Sequence, residues 1–292
     1  MKNKIKGFKK KQAGLGLLVP THYLLMIISL MILSSCEKVV YIDLNNSDPT
    51  PVIEANITDR AGPYTVKLSR SVNYYDPNVF PALTDATVVV SDNSGNSETL
   101  VQTSDGIYQS TTLQGVAGRL YSLKVSYNGK DYESHSTMPS MVPIDSVMIV
   151  LNPPGGGGFG GGHPGDSIPG YKVTCIFKDP PGQGNYYRLV LNSNDTAAID
   201  KSRYRIVSDK LTDDDNISIT ANTKLKPGDS VTVILECIDQ AAYNFFNTLG
   251  NVVGDSPPFM SAPPANPVTN ISNGGLGYFS AYSYSEKKLV VH

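Results

Sequence analysis

Few side chains in this 292-residue sequence are placed to do chemistry. The densest acidic run is DKLTDDDN, residues 209–216, where Asp213, Asp214 and Asp215 are consecutive. Adjacent carboxylates offer the hard oxygen ligands that Ca²⁺ takes. The run lacks the glycine and the distal glutamate with which an EF-hand loop turns and closes on its ion. A solvated hairpin tip is therefore the plainer expectation, and no metal is assigned. Cys175 and Cys237 lie in the strand-like stretches YKVTCIF and VTVILECI. An oxidising compartment permits a disulfide between them. Two buried thiols fit the same residues, because sequence does not set the Cα separation that a bridge requires. The four histidines, His22, His135, His163 and His292, do not gather near a cysteine, which argues against a transition-metal site. The loop NYYDPNVFPALTD, residues 73–85, carries Tyr74, Tyr75 and Phe80. Large aromatics of this kind anchor ligands or partners when exposed. Packed onto the edge of a sheet, they would be purely structural.

Two other features invite a chemical reading and do not sustain it. NPPGGGGFGGGHPGDSIPG, residues 152–170, is glycine-rich. A phosphate loop, however, needs a fixed glycine pattern, a Lys-Ser/Thr end and a following helix, none of which is present. The stretch reads as a flexible inter-strand loop, with His163 solvated in it. No serine sits in a G-x-S-x-G elbow. The sequence offers no catalytic set, so the expectation is a protein that is not an enzyme and has no cofactor.

The remaining reactive residue is Cys36. It follows a leader with six lysines in residues 1–35, no acid, and the apolar core YLLMIISLMIL, residues 23–33. At 1.5 Å per residue this core spans ~16 Å of helix, about half the ~30 Å hydrocarbon thickness of a bilayer, so it suits a secretory signal better than a permanent span. LSSC, residues 33–36, resembles the lipobox of bacterial lipoproteins. There the thiol takes a diacylglycerol, cleavage occurs before the cysteine, and the new amine is acylated. Such multiple acylation meets the two-signal requirement for stable anchoring. Glu37 stands where an aspartate would signal inner-membrane retention, so the expected location is the outer membrane, with the leaflet left open.

Removing the six leader lysines from the 24 Lys and Arg leaves 18 against 26 acidic residues, a formal charge of −8. An acidic body argues against nucleic-acid binding, which needs basic patches to displace counterions. The 46 Gly and Pro residues are spread between short β-branched runs, the pattern of a β-rich protein with many turns. Residues 36–51 read as a lipidated tether. PVIEANITD and YTVKLSRSV then alternate apolar and polar positions, with Arg70 marking the end of the second run. DATVVVSDNSGNSETLV turns at Gly95, and RLYSLKVSYNGKDYESHSTM is a hairpin centred on Asn128-Gly129. This predicts an N-terminal β-sandwich over residues 52–140, immunoglobulin-like or transthyretin-like. PSMVP, residues 139–143, marks the joint. Residues 141–292 read as a second sandwich-like domain with a Pro227-Gly228 turn and one helix, DQAAYNFFNTLGN. That helix is capped by Asp239, ended by Gly250, and carries Tyr243, Phe246 and Leu249 on one face. EKKLVV closes the second sheet.

VIEANITDRAGPYTVKLSRSVNYYD, ATVVVSDNSGNSETL, GIYQSTTLQGVAGRLYSLKV, YESHSTMPSMVPIDSV and NPVTNISNGGLGYFSAYS, in this order behind the Cys36 motif, resemble a Bacteroidetes lipoprotein family. It is catalogued as a domain of unknown function, family 4249. Its most recognisable positions here are Thr58, Gly62, Pro63, Tyr64, Gly118, Tyr121, Pro143, Asp145, Gly274, Gly275, Gly277, Tyr278 and Phe279. The resemblance implies an outer-membrane lipoprotein, often encoded beside a TonB-dependent receptor, and implies no activity. The leading expectation is an accessory or ligand-binding component of a TonB-dependent uptake system, with a β-barrel receptor as partner. The alternative is a structural or adhesive surface lipoprotein. A hydrolase with a site assembled across the joint has no polar constellation to support it.

Overall fold

The computed structural model describes residues 48–73, 79–152, 170–199, 204–253 and 266–292. Cys36, Tyr74 and Tyr75, and the glycine-rich segment 153–169 with His163, lie outside these residues. The described residues cluster as one compact unit.

Period-2 alternation builds the first sandwich. One sheet takes β1 (Pro51–Thr58), β2 (Thr65–Arg70), β5 (Val101–Ser104) and β6 (Ile107–Gln109), in the order β1-β2-β6-β5. The facing sheet is β4-β3-β7-β8, from β3 (Thr87–Asp92), β4 (Ser97–Thr99), β7 (Leu120–Tyr127) and β8 (Lys130–Thr137). Ile53, Ala55 and Ile57 of β1 point inward against Val88, Val90, Leu123 and Val125 from the other sheet. Burying each large apolar side chain contributes about 1.5–3 kcal/mol. Asn128 and Gly129 have φ of 49° and 71°, so the β7–β8 hairpin turns with two left-handed residues, as Asn-Gly predicts.

The second sandwich sets three strands against four. β9 (Ser146–Asn152), β10 (Gly170–Lys178) and β13 (Asn216–Thr223) form the sheet β13-β10-β9. β11 (Tyr186–Ser193), β12 (Arg205–Ser208), β14 (Ser230–Ile238) and the last strand β15 (Leu276–Val290) run β12-β11-β14-β15. This three-on-four order is that of an immunoglobulin-like sandwich.

The joint departs from two separate sandwiches divided at residue 140. β15 is 15 residues long and belongs to both. Leu276–Tyr282 pairs in parallel with Val52–Thr58, and Phe279 and Ala281 complete the first core. Ser283 to Val290 then pairs antiparallel with β14 in the second. One eight-stranded sheet thereby runs through both halves. The parallel register requires glycine at one point. Gly277 has φ +92°, and a Cβ there would lie 2.1 Å from the Ile53 carbonyl oxygen.

The helix α1 (Gln240–Val253) begins where Asp239 Oδ1 accepts the Ala242 N–H at 2.8 Å. It does not end at Gly250 but continues for three more residues. A mid-helix glycine costs about 1 kcal/mol against alanine, which the packed apolar face outweighs. Phe245 and Phe246 are buried, and Tyr243 and Leu249 pack beside them on the outer face of the long sheet. Asp239 also joins the halves: its Oδ2 accepts from Ser136 Oγ at 2.7 Å, and Ser136 Oγ accepts the Ala281 N–H at 2.8 Å. Among the described residues no helix is long and apolar enough to cross a membrane.

Candidate functional site

The structure gathers its unusual groups near the joint. Residues 139–143 leave β8 without forming a strand and pass the end of the second sandwich. Opposite them, β10 ends at Lys178, and Asp179, Pro180 and Pro181 lead into a turn with Gly182 and Gly184 at φ 108° and 111°. Between these segments lies a cleft of about 690 Å³. Its walls include Pro139, Met141, Pro181 and Tyr186, and its floor Tyr187 and Cys237. The cleft is more apolar than polar in character, as small-ligand and peptide sites are. Met141 is 44% exposed at its rim.

Behind one wall stands an acidic cluster. Asp179, Asp209 and Asp213 bring one carboxylate oxygen each within 4.8 Å of the others, the only such group among the described residues. Asp179 and Asp209 are buried. The Tyr187 hydroxyl donates to Asp179 Oδ1, and the Asp214 N–H to Oδ2 at 3.3 Å. Asp209 Oδ2 accepts from the Gly184 and Asn185 amides, both at 2.9 Å. Asp213 Oδ1 accepts from Gly182 N at 2.8 Å. Burial raises the Asp179 carboxyl above the ordinary range, the hydrogen bonds from Tyr187 and Asp214 pull the other way, and the nearby charges of Asp209 and Asp213 raise it further. The Tyr187 hydroxyl and backbone amides already occupy these carboxylates, so the arrangement clasps two loops together. A Ca²⁺ ion would draw six to eight oxygens.

Of the consecutive aspartates only Asp213 joins this cluster. Asp214, at φ 54°, turns out to pair with Lys178 at 3.0 Å, and Asp215 Oδ1 accepts the adjacent Asn216 N–H at 2.7 Å. Asp179 and Asp209 were not sequence candidates for a metal. Asp209 opens the same turn as Asp213, four residues before it, whereas Asp179 comes from the β10–β11 turn, and its convergence with them has no sequence signal. Phe80 is 57% exposed beside Val79 at 73%, next to the end of β2. Its expected companions Tyr74 and Tyr75 lie outside the described residues.

Cys175 and Cys237 are free thiols, both buried, so the sequence-level disulfide is not formed. They enter one core from opposite sheets. Burial pushes the Cys175 thiol up to about 12 and that of Cys237 up to about 11, the latter despite a bond from Val142 N at 3.3 Å. At neutral pH both thiols stay protonated, which disfavours a nucleophilic role.

Sequence reasoning also missed an ion pair under α1. Arg188 of β11 meets Glu236 of β14 through two bonds, 2.6 and 3.1 Å, with side chains 16% and 6% exposed. The guanidinium carbon lies 4.0 Å from the Phe246 ring centre. The available signal was a charge at matching places in YYRLVL and VILECI, which the register then sets opposite one another.

No curated protein sequence matches the chain. Among solved structures, a segment of two fibronectin type-III domains from chicken tenascin aligns at 13% identity. That alignment covers 65% of this chain and 91% of that one, with a TM-score of 0.20. A family model described as Domain of unknown function (DUF4249) matches residues 37–288. The chain belongs to that family.

Proposed function

We propose that the chain is a lipid-anchored outer-membrane protein, tethered through Cys36, that serves a TonB-dependent uptake system as an accessory or ligand-binding component. The observation that carries this reading is the cleft at the joint. Its two walls come from residues 139–143 and from the Pro180-Pro181 turn. Both walls are fixed on the second sandwich, whose core takes Val142 and Ile144 from the segment after β8, and a pre-formed apolar cleft on a rigid scaffold suits the holding of a ligand or a partner segment. The anchor reading has separate support in the leader, and the family match begins at residue 37, immediately after the cysteine.

Recovery of the tagged protein from solubilised outer membrane should bring a large β-barrel receptor with it. Recovery of the protein alone would overturn the accessory role. The continuous sheet favours a second reading, a stiff spacer or adhesin, because a strand common to two sandwiches resists bending at the joint. A deletion strain with normal uptake and altered attachment would favour that reading.

A further inference from the structure

We infer that Asn128 is a site of spontaneous deamidation, with the Gly129 backbone nitrogen as nucleophile and water as co-reactant, and that the fold protects its counterpart Asn273. The sequence holds two Asn-Gly pairs, Asn128-Gly129 and Asn273-Gly274. Their backbones are nearly alike, with φ of 49° and 71° in the first and 56° and 78° in the second. All four residues are exposed, and in each pair the glycine nitrogen has no side chain beside it to shield it. Only the bonding around the asparagines separates the two. Asn273 Nδ2 donates to the Asp131 carbonyl of β8 at 2.6 Å. The preceding Ser272 is bonded twice to Glu133: its N–H donates to the Glu133 carbonyl at 2.8 Å, and its Oγ accepts the Glu133 N–H at 2.7 Å. That turn is docked along β8 with its side-chain amide engaged. The Asn128 side chain, by contrast, makes no hydrogen bond among the described residues. A Cβ built on Gly129 would meet nothing within 4 Å, so the space around the attacking nitrogen is open.

The step balances without an oxidant or reductant. Gly129 N attacks Asn128 Cγ. The N–Cγ bond forms, the Cγ–Nδ2 bond breaks, and the departing nitrogen takes the Gly129 proton and leaves as ammonia. The resulting cyclic succinimide then adds a water. Opening at Cγ gives aspartate, and opening at the Asn128 backbone carbonyl gives isoaspartate, whose chain runs through the former side chain. Ring closure requires the asparagine backbone to rotate out of its turn. At position 128 that rotation frays only the end of the β7–β8 hairpin, where Tyr127 pairs with Lys130. At position 273 it must also release the three bonds to β8, and each such bond is worth about a two- to tenfold factor. Either product sets a new carboxylate beside Lys130. Isoaspartate also adds a backbone atom to a turn whose geometry fits two residues, so it loosens the hairpin end.

The test is a time course of the full-length protein in detergent at mildly alkaline pH, followed by peptide mapping with mass spectrometry that resolves asparagine, aspartate and isoaspartate. The peptide holding Asn128 should gain the mass difference of a carboxyl over an amide and split into two products. The peptide holding Asn273 should react at least about tenfold more slowly. In urea, where neither turn is held, the two should react at similar rates. Ser272→Ala, which removes the Oγ bond to β8, should speed the reaction at Asn273 and leave Asn128 as it was. An Asn128 that stays intact in the folded protein while it converts in urea would overturn the inference. So would equal rates at the two sites in the folded protein.

Discussion

Gly277→Ala attacks the strand that both sandwiches share, and its cost follows from the structure. Gly277 holds φ +92°, where an L side chain is strained by about 1–2 kcal/mol. The new Cβ would also stand 2.1, 2.8 and 3.0 Å from the O, C and N atoms of Ile53. These are backbone atoms of β1, so no side chain can swing aside. Forcing them apart adds roughly 1–3 kcal/mol, the usual range for overpacking, and the sum is about 2–5 kcal/mol. For a protein of this size each kcal/mol lowers Tm by about 2–4 °C, so the expected fall is about 4–20 °C. Gly129→Ala is the control. Its φ is +71°, and a Cβ there meets nothing within 4 Å, so only the backbone term applies. The assay is thermal unfolding by circular dichroism, with calorimetry to count transitions. Gly277→Ala should fall clearly further than Gly129→Ala, and it should shift the whole transition, because β15 completes both cores. Equal falls would refute the argument from close approach, and loss of one sandwich with an unshifted second transition would refute the coupling.

The buried pair gives a second prediction. Arg188→Met should cost about 3–5 kcal/mol in urea unfolding by leaving Glu236 unpaired, and Arg188→Met/Glu236→Leu should regain most of it; equal losses in both variants would contradict this. Acid sensitivity should come from the first sandwich. Burial alone would raise the Asp92 carboxyl, but bonds from Asn96, Arg119 and Ser94 hold it at about 2, and bonds from Thr111, Leu113 and Thr112 do the same for Glu98, also about 2. Their stabilisation is therefore full above the unfolded values of 3.8 and 4.5 and is lost as pH falls through about 2, so Asp92→Asn should flatten the urea midpoint between pH 5 and 2. Asp179 has the opposite sign. Its raised carboxyl makes ionisation a cost as pH rises through its folded value, and Asp179→Asn should lessen that fall in stability. Cys175 and Cys237 should label with a thiol reagent at pH 8 only after unfolding, and an intact mass lower by the two protons of a disulfide would contradict the free-thiol assignment.

Local chemistry was legible in the sequence, and convergence of distant segments was not. The alternation in PVIEANITD and the Asn128-Gly129 turn act over a few residues, and the structure holds them as read. Asp239 caps α1 as its position predicts, whereas Gly250 is no stop: the helix runs three residues past it, with Asn251 and Val252 exposed. The parallel pairing of Leu276–Tyr282 with β1 joins residues more than 200 positions apart. A period-2 pattern says that a strand has two faces but not which sheet receives it. The acidic cluster shows the same limit. Asp209 and Asp213 stand in one acidic run, but their partner Asp179 joins them only when the β10–β11 and β12–β13 turns meet.

The most direct test of the functional account places a photo-activated cross-linker at Met141, on the rim of the cleft, in cells that express the full-length lipoprotein. The account predicts a light-dependent adduct with a β-barrel outer-membrane receptor, absent when the cross-linker sits at Lys130 on the distant β7–β8 turn. No receptor adduct from Met141, or equal adducts from both positions, would contradict it.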